Sequence, residues 1–111
     1  MVVITFDTET TGLLKDPQAR IVEIGAVRHN IQTGEEIDTF QTFVKPPERW
    51  ITPAKLALSK RICGIEPEQV LTAPEYPEVM SNFIEWIGFR EVLYAWNLPF
   101  DSRMLLRYCK D

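Results

Sequence analysis

The sequence lacks the features of a disulfide-stabilised protein and of a membrane protein. It has only two cysteines, Cys63 and Cys109, and no apolar run approaches the roughly 18 residues that a membrane span needs. The N-terminal segment has no basic region and reaches a carboxylate at Asp7, so we expect no signal peptide. We therefore expect reduced thiols, a cytoplasmic location and no contact with a membrane.

An excess of positive charge is also lacking. Sixteen acidic residues stand against 12 basic ones, for a net charge of -4. Proteins that hold nucleic acid by charge alone are usually basic on at least one face, so the composition disfavours a sequence-tolerant nucleic-acid coat. It does not exclude nucleic acid, since two bound divalent cations would cancel the formal charge. The 111 residues, 45% of them hydrophobic, predict one folded domain spanning 1–111.

Four runs of apolar and β-branched residues predict strands. Residues 2–10 begin with consecutive apolar positions, as in a central strand covered on both faces. Residues 20–29 and 36–44 follow after short connections, which predicts an antiparallel meander. A fourth, short strand is predicted at residues 92–96.

Capping signals predict the first two helices. Thr52 and Pro53 would begin one that ends at Gly64. A capping box at residues 72–75 would open the next, which ends at Gly88. The apolar face of that second helix is predicted to contain Val79, Met80, Phe83, Ile84, Trp86 and Ile87.

A last helix begins within residues 97–101 and places Met104, Leu105 and Tyr108 on the face that carries Asp101. The order β-β-β-α-α-β-α predicts a single α/β domain with a mixed sheet of three antiparallel strands plus one parallel strand, and with helices on the sheet faces.

Two carboxylates, Asp7 and Glu9, are predicted to leave the same face of the first strand, with their Cα atoms ~6.6 Å apart. This spacing suits a hard cation with oxygen ligands at about 2.0–2.1 Å, as magnesium has. The alternative is a solvent-facing strand that carries two acids by chance. The apolar neighbours Val3, Ile4 and Phe6 favour a cation, since carboxylates on a buried strand need a partner.

The tract after these acids adds the hydroxyls of Thr8, Thr10 and Thr11 and a glycine, Gly12, that would let a substrate approach the backbone. A third acid, Asp101, lies where a strand leads into a helix, a common place for sites in open α/β sheets. Taken alone, it would be a first-turn aspartate favoured by the helix dipole.

These residues resemble a known family. The string FDTETTGL at residues 6–13 resembles the first motif of the DEDD superfamily of 3′–5′ exonucleases, and more closely its DnaQ-like (DEDDh) group, which includes polymerase proofreading subunits and ribonuclease T. Residues 21–26 resemble the family's second strand, and residues 52–65 its helix ending in glycine–isoleucine. Residues 97–101 match the second motif, N-x-x-F-D. The resemblance covers nearly the whole chain, in the family's order.

The resemblance implies a ribonuclease H-like fold and hydrolysis of the terminal phosphodiester at the 3′ end of DNA or RNA. Two divalent cations, Mg²⁺ or Mn²⁺, would take part, one activating the water and the other stabilising the leaving oxygen. It also implies that Asp7 bridges both cations, that Glu9 binds the one beside the water, and that Asp101 binds the other directly or through water. The implied nucleotide-binding residues are Thr8, Thr10, Thr11, Gly12, Leu13, Trp96, Asn97 and Phe100. For Trp96 a place in the core is an equal alternative.

The sequence departs from the family pattern because it does not contain the third motif. In the family, that motif follows the last helix and supplies a general-base histidine and a fourth acid. The single histidine, His29, ends the second strand, and we interpret it as a surface residue. Two milder departures are Cys63 and Trp96, each at a position where relatives often have histidine.

A further strand and helix of the family would also be missing, which would leave part of the sheet uncovered and available to a protein partner or a second copy. Three interpretations stay open: a longer protein, a second chain that completes the site, or a relative without catalysis. The competing functions are a metal-dependent exonuclease and a catalytically inactive module of the same fold that binds nucleic acid or protein. A phosphate-handling hydrolase on a related fold is a weaker third.

Overall fold

The structure, a computed structural model, describes residues 1–88 and 98–111, together with the backbone of residues 92–95. The elements in the described residues are β1 (Val2–Thr10), β2 (Ile21–Asn30), β3 (Glu36–Phe43), a 3-10 turn (Glu48–Trp50), α1 (Pro53–Cys63), α2 (Pro67–Leu71), α3 (Tyr76–Ile87), β4 (Val92–Ala95) and α4 (Leu98–Lys110).

The sheet is mixed, with the strand order β3-β2-β1-β4. The strand β2 pairs antiparallel with both β1 and β3, while β4 pairs parallel with β1, as the sequence predicted. Phe6 pairs with Ala95 at the end of β4, so the carboxyl ends of β1 and β4 lie at the same edge. The helix α4 begins three residues later and brings its first turn to that edge.

The main core lies between one face of the sheet and the helices α3 and α4. Phe83 of α3 contacts Phe6 and Phe40, with ring centroids 6.0 Å and 5.2 Å away. Met104 and Tyr108 of α4 are buried in the same cluster, as their shared face with Asp101 predicted. A second, smaller cluster is formed by Val22, Ile65 and Val70. The sheet is therefore anchored to α4, the helix that carries the third candidate acid.

The helix α1 confirms the capping signals read from the sequence. The Thr52 hydroxyl accepts a hydrogen bond from the Lys55 N–H at 3.2 Å, and Gly64 ends the helix with a φ of 73°, in the left-handed region. No helix in the described part of the chain has both the length and the apolar character needed to span a membrane.

The capping box predicted at residues 72–75 is wrong. Thr72 ends α2, and its hydroxyl donates to the Glu68 carbonyl at 2.7 Å, while α3 begins after Glu75. The short helix α2 was missed because five residues show too little periodicity. Its own start is capped by Gln69, whose side-chain oxygen accepts the Glu66 N–H at 2.9 Å.

The predicted apolar face of α3 is wrong at Ile84. That side chain is 67% exposed, whereas Val79 and Phe83 are buried. The buried stripe is narrower than the run of apolar residues, since the sheet beneath α3 covers only one side of the helix.

Candidate active site

Asp7 and Glu9 leave the same face of β1, as predicted, but this face is open to solvent at Asp7. Asp7 is exposed and Glu9 half-buried, whereas Ile4 and Phe6 on the alternate face are buried. Gly25 lies directly opposite Asp7 on β2, and a Cβ placed there would meet nothing within 4 Å. These carboxylates are therefore not buried, and the prediction that burial makes them need a cation is wrong. The space beside Asp7 instead leaves room for a ligand.

Asp101 reaches the end of β1 from the first turn of α4. Its side chain is 2% exposed, and its Oδ1 accepts a hydrogen bond from the Thr8 hydroxyl. Thr8 lies between Asp7 and Glu9 but points to the alternate face of β1, toward the core. Thr8 thus fastens the start of α4 to the segment of β1 that carries the other two acids.

The ligand types at this edge suit a hard divalent cation, since Asp7 and Glu9 offer carboxylate oxygens on one face. Among the described residues, however, no group of three or more His, Cys, Asp and Glu side chains is placed so that it could hold a metal ion. The arrangement therefore fits part of a cation site, with Asp7 and Glu9 on one face of β1 and Asp101 hydrogen-bonded to Thr8.

A cavity of about 650 Å³ adjoins these residues, between the end of β1, the loop that follows it and α1. The predicted nucleotide-binding residues that line it are Thr8, Thr10, Thr11, Gly12, Leu13 and Phe100. Trp96 and Asn97, the other two predicted nucleotide-binding residues, lie outside the described residues.

The helix α1 forms a wall of this cavity that sequence reasoning missed. Ala54, Leu58 and Ile62 line it at i, i+4 and i+8, and Ile62 is 70% exposed. That spacing was the available signal in the sequence, because apolar residues four positions apart share one face of a helix. Leu13, 61% exposed, offers a second apolar surface to the same cavity.

Internal hydrogen bonds hold the loop after β1. The Thr10 hydroxyl donates to the Gly12 carbonyl at 2.6 Å, and the Thr11 hydroxyl accepts the Arg20 N–H at 3.0 Å. A Cβ on Gly12 would lie 3.3 Å from the Ala19 Cβ, so the missing side chain makes room for the loop itself. Thr10, Thr11 and Gly12 therefore determine the shape of the cavity indirectly, because they fix the backbone of the loop that lines it.

Cys63, at the end of α1, lies beside Glu9 and lines the same cavity. Burial raises the pKa of its thiol to about 12, and a hydrogen bond to Glu9 and the negative charges of Glu9 and Glu23 act in the same direction. Glu23 pairs with Glu9 across β1 and β2. The thiol therefore stays protonated at neutral pH.

Asp111, to which the sequence analysis gave no role, forms a two-point ion pair with the buried Arg20. The Arg20 Nε and Nη2 atoms donate to its two carboxylate oxygens at 2.9 Å and 3.1 Å. Burial raises the pKa of Asp111, but the hydrogen bond and charge of Arg20 outweigh this and hold it below its usual value. The Arg20 guanidinium also lies 4.6 Å from the centre of the Trp50 ring. Nothing local in the sequence indicates a pair 91 residues apart.

His29 lies away from the candidate acids. Its Nε2 is 3.1 Å from the Thr5 hydroxyl, and it pairs with Val3, four positions along β1 from Asp7, or about 13 Å at the strand rise. His29 was interpreted as a surface residue, and the structure shows it half-buried and away from the candidate acids. Both cysteines are free thiols.

The chain is similar to known exonucleases. The model of the exonuclease family RNase_T matches residues 4–111. A DNA polymerase III of the PolC type from Staphylococcus aureus is 37% identical over 101 residues, which cover 88% of this chain and 6% of the polymerase. The chain therefore spans a small part of that relative's length.

Solved structures show the same fold. The nuclease domain of 3′hExo, a DEDDh family member bound to rAMP, has a TM-score of 0.77 and 25% identity over 98% of this chain and 58% of that one. Escherichia coli Exonuclease I in complex with a dT13 oligonucleotide has a TM-score of 0.74 and 17% identity over 94% of this chain and 22% of that one. These likenesses confirm the ribonuclease H-like fold, here as part of a domain.

Proposed function

Because the chain belongs to the exonuclease family RNase_T and has the fold of DEDDh 3′ exonucleases, we propose that it serves to hydrolyse the terminal phosphodiester at the 3′ end of DNA or RNA. The main observation in support of this proposal is that Asp7, Glu9 and Asp101 lie at one edge of the sheet, beside a cavity lined by the loop after β1. A module that only binds has no need for three acids there.

Exonucleases of this family generally use divalent metal ions. In our proposal Asp7 and Glu9 hold Mg²⁺ or Mn²⁺, and Asp101 contributes directly or through water. The ions would activate the attacking water and stabilise the leaving oxygen. Thr8 keeps Asp101 at this edge through its hydrogen bond.

The cavity suits the terminal nucleotide. Leu13 from the loop and Ile62 from α1 are both more than half exposed within its walls, and they offer apolar surfaces to the base. Lys15 in the same lining adds positive charge near the phosphates, whereas Lys55 is paired with Asp16. The solved relatives named with rAMP and with dT13 support both ribonucleotide and deoxyribonucleotide as candidate substrates.

A second candidate is a catalytically inactive module that binds a nucleic acid or a protein. It is favoured by the fact that the described residues do not assemble three acids into a metal-holding group, and by His29 lying away from them. A general base typically contributes about 10²–10⁴-fold to rate. We therefore expect at most residual activity from these 111 residues alone.

The test is Mn²⁺-supported digestion of a 3′-labelled single-stranded oligonucleotide. The wild type, Asp7→Ala and the control Asp38→Ala are compared, each with its fold checked by circular dichroism. Asp38 is also a carboxylate on a strand, but it pairs with Arg28 on β2. Release of label by the wild type and the control, with no release by Asp7→Ala, supports the exonuclease. Binding without release by all three supports the inactive module.

A further inference from the structure

We propose that a groove along α4 binds the phosphate backbone of the strand whose 3′ end lies in the main cavity. The groove has a volume of about 380 Å³ and is lined by Leu14 of the β1–β2 loop and by Arg103, Leu106, Arg107 and Lys110 of α4. It is called the α4 groove below. The inference deepens the proposed function, because it concerns how the same substrate is held.

The groove follows from the two faces of α4. Asp101, Met104 and Tyr108 are buried against the sheet. Arg103, Arg107 and Lys110 follow at i, i+4 and i+7 on another face, where Arg103 and Lys110 are exposed. Three positive charges therefore line one side of the helix.

These charges are available to a ligand. Within the described residues, neither Arg103 nor Lys110 takes part in an ion pair. The two nearby acids already have partners, since Asp16 is paired with Lys55 and Asp111 with Arg20. In a chain with a net charge of -4, this local concentration of positive charge calls for an anionic partner.

Arg107 keeps part of this charge in a fixed place. Its guanidinium donates to the carbonyls of Leu14 and Asp16, both at 2.7 Å, and to that of Ala19 at 2.9 Å. Neutral carbonyls do not cancel its charge. Arg107 therefore joins α4 to the loop that shapes the main cavity. Its guanidinium keeps its positive charge at this junction between the helix and the loop.

The α4 groove and the main cavity are continuous along the chain. Leu13, Lys15 and Asp16 line the cavity, while Leu14 lines the groove. A strand that leaves the cavity across this loop meets Arg107 and then the exposed charges of α4. Leu106, 56% exposed, adds an apolar surface that suits sugars and bases between the phosphates.

A nucleic-acid strand fits this lining better than another protein helix does. The lining residues that the structure describes are three basic residues and two leucines, with no acid among them, which complements a polyanion. Since α4 carries Asp101 in its first turn and the groove residues in its later turns, one strand can occupy both sites.

The test measures binding of a fluorescent 20-nucleotide single strand by anisotropy, in EDTA and over a range of salt concentrations. The variant is Arg103→Ala with Lys110→Ala. The control is Lys60→Ala with Arg61→Ala, which removes the same charge from exposed positions of α1 that line neither cavity. Each ion pair with a phosphate contributes about 0.7 to the salt slope, so the loss of two should lower the slope by about 1.4. We therefore expect affinity to fall roughly 10- to 30-fold near 0.1 M salt in the α4 variant alone.

Hydrolysis separates this inference from the proposed function. A dinucleotide carries a single phosphodiester, the one that is cleaved, so it has no further phosphate for the α4 groove. Its cleavage should therefore differ much less between the wild type and the α4 variant than cleavage of the 20-nucleotide strand. If the wild type cleaves neither substrate, the exonuclease proposal fails while the binding comparison still tests the groove. Equal affinity and salt slope in wild type and α4 variant, or an equal decrease in the control, would overturn the groove. Unchanged binding by the α4 variant together with a change in its oligomeric state would also overturn the proposal, because the groove would then be a protein interface.

Discussion

Thr8 and Asp101 are joined by a hydrogen bond from the Thr8 hydroxyl to the Asp101 carboxylate, across 93 positions of the sequence. Both side chains are buried, at 7% and 2% exposure. The threonine inside the first motif is therefore a structural partner of the acid in the second motif. Through it, the strand that carries Asp7 and Glu9 also determines where α4 begins.

Replacing Thr8 by valine keeps the shape of the side chain and removes the donor. A buried carboxylate deprived of a hydrogen bond costs roughly 1–3 kcal/mol, and we expect the free energy of unfolding in urea to fall by that amount. Nuclease activity should fall as well, because the hydrogen bond that holds Asp101 at the sheet edge is gone. Thr8→Ser keeps the hydroxyl and is the matched control. Equal stability of the two variants would show that the bond contributes nothing.

The two faces of α3 should respond differently to truncation. Phe83 contacts Phe6, Phe40 and Trp86 in the core, so Phe83→Ala should lower the unfolding free energy by about 3–5 kcal/mol. Ile84→Ala, at the neighbouring exposed position, should change it by less than about 0.5 kcal/mol. Thermal or urea unfolding of both variants provides the comparison. A large destabilisation in Ile84→Ala would mean that a partner or another segment covers this side of α3.

The pair of Arg20 and Asp111 should make stability depend on pH in the acid range. Because the pKa of Asp111 is held below its usual value of 3.8 in the fold, its contribution is complete above 3.8 and is lost as the pH falls through the lower folded-state value. Asp111→Asn should therefore be less stable than wild type at pH 7, and the difference should shrink in acid.

The control for this pair is Asp38→Asn, which alters an ion pair whose carboxylate is 45% exposed. Its effect at pH 7 should stay within the range of zero to about 1 kcal/mol that is usual at surfaces. Urea unfolding at a series of pH values measures both variants. Parallel curves for wild type and Asp111→Asn would contradict the assignment.

Cys63 and Cys109 should differ in reactivity toward iodoacetamide. Only the thiolate reacts, and the pKa of about 12 at Cys63 leaves almost none at pH 8, while Cys109 is exposed. Mass spectrometry of the alkylated peptides should therefore show Cys109 modified first. Glu9→Gln removes one of the charges that raise the Cys63 pKa and should speed its modification. An unchanged rate in Glu9→Gln would show that burial alone protects the thiol.

Local sequence signals predicted much of the fold because they act over a few residues. The alternation in β1 placed Asp7 and Glu9 on one face, and Thr52 and Gly64 marked the ends of α1. The same local reasoning failed where two signals competed. Thr72 had the spacing of an N-cap and instead ends α2, because the preceding five residues form a helix of their own.

The sequence by itself determined the strands, three of the helices and the residue types of the site, since these depend on near neighbours and on the motif strings. Only the tertiary structure decided that Thr8 holds Asp101, that Asp111 pairs with Arg20, and that α1 lines the cavity. It also decided that Asp7 is open to solvent and Ile84 uncovered. Burial and long-range hydrogen bonds depend on which surfaces pack together when the sheet forms. The periodicity of one segment does not indicate which other segment will pack against it.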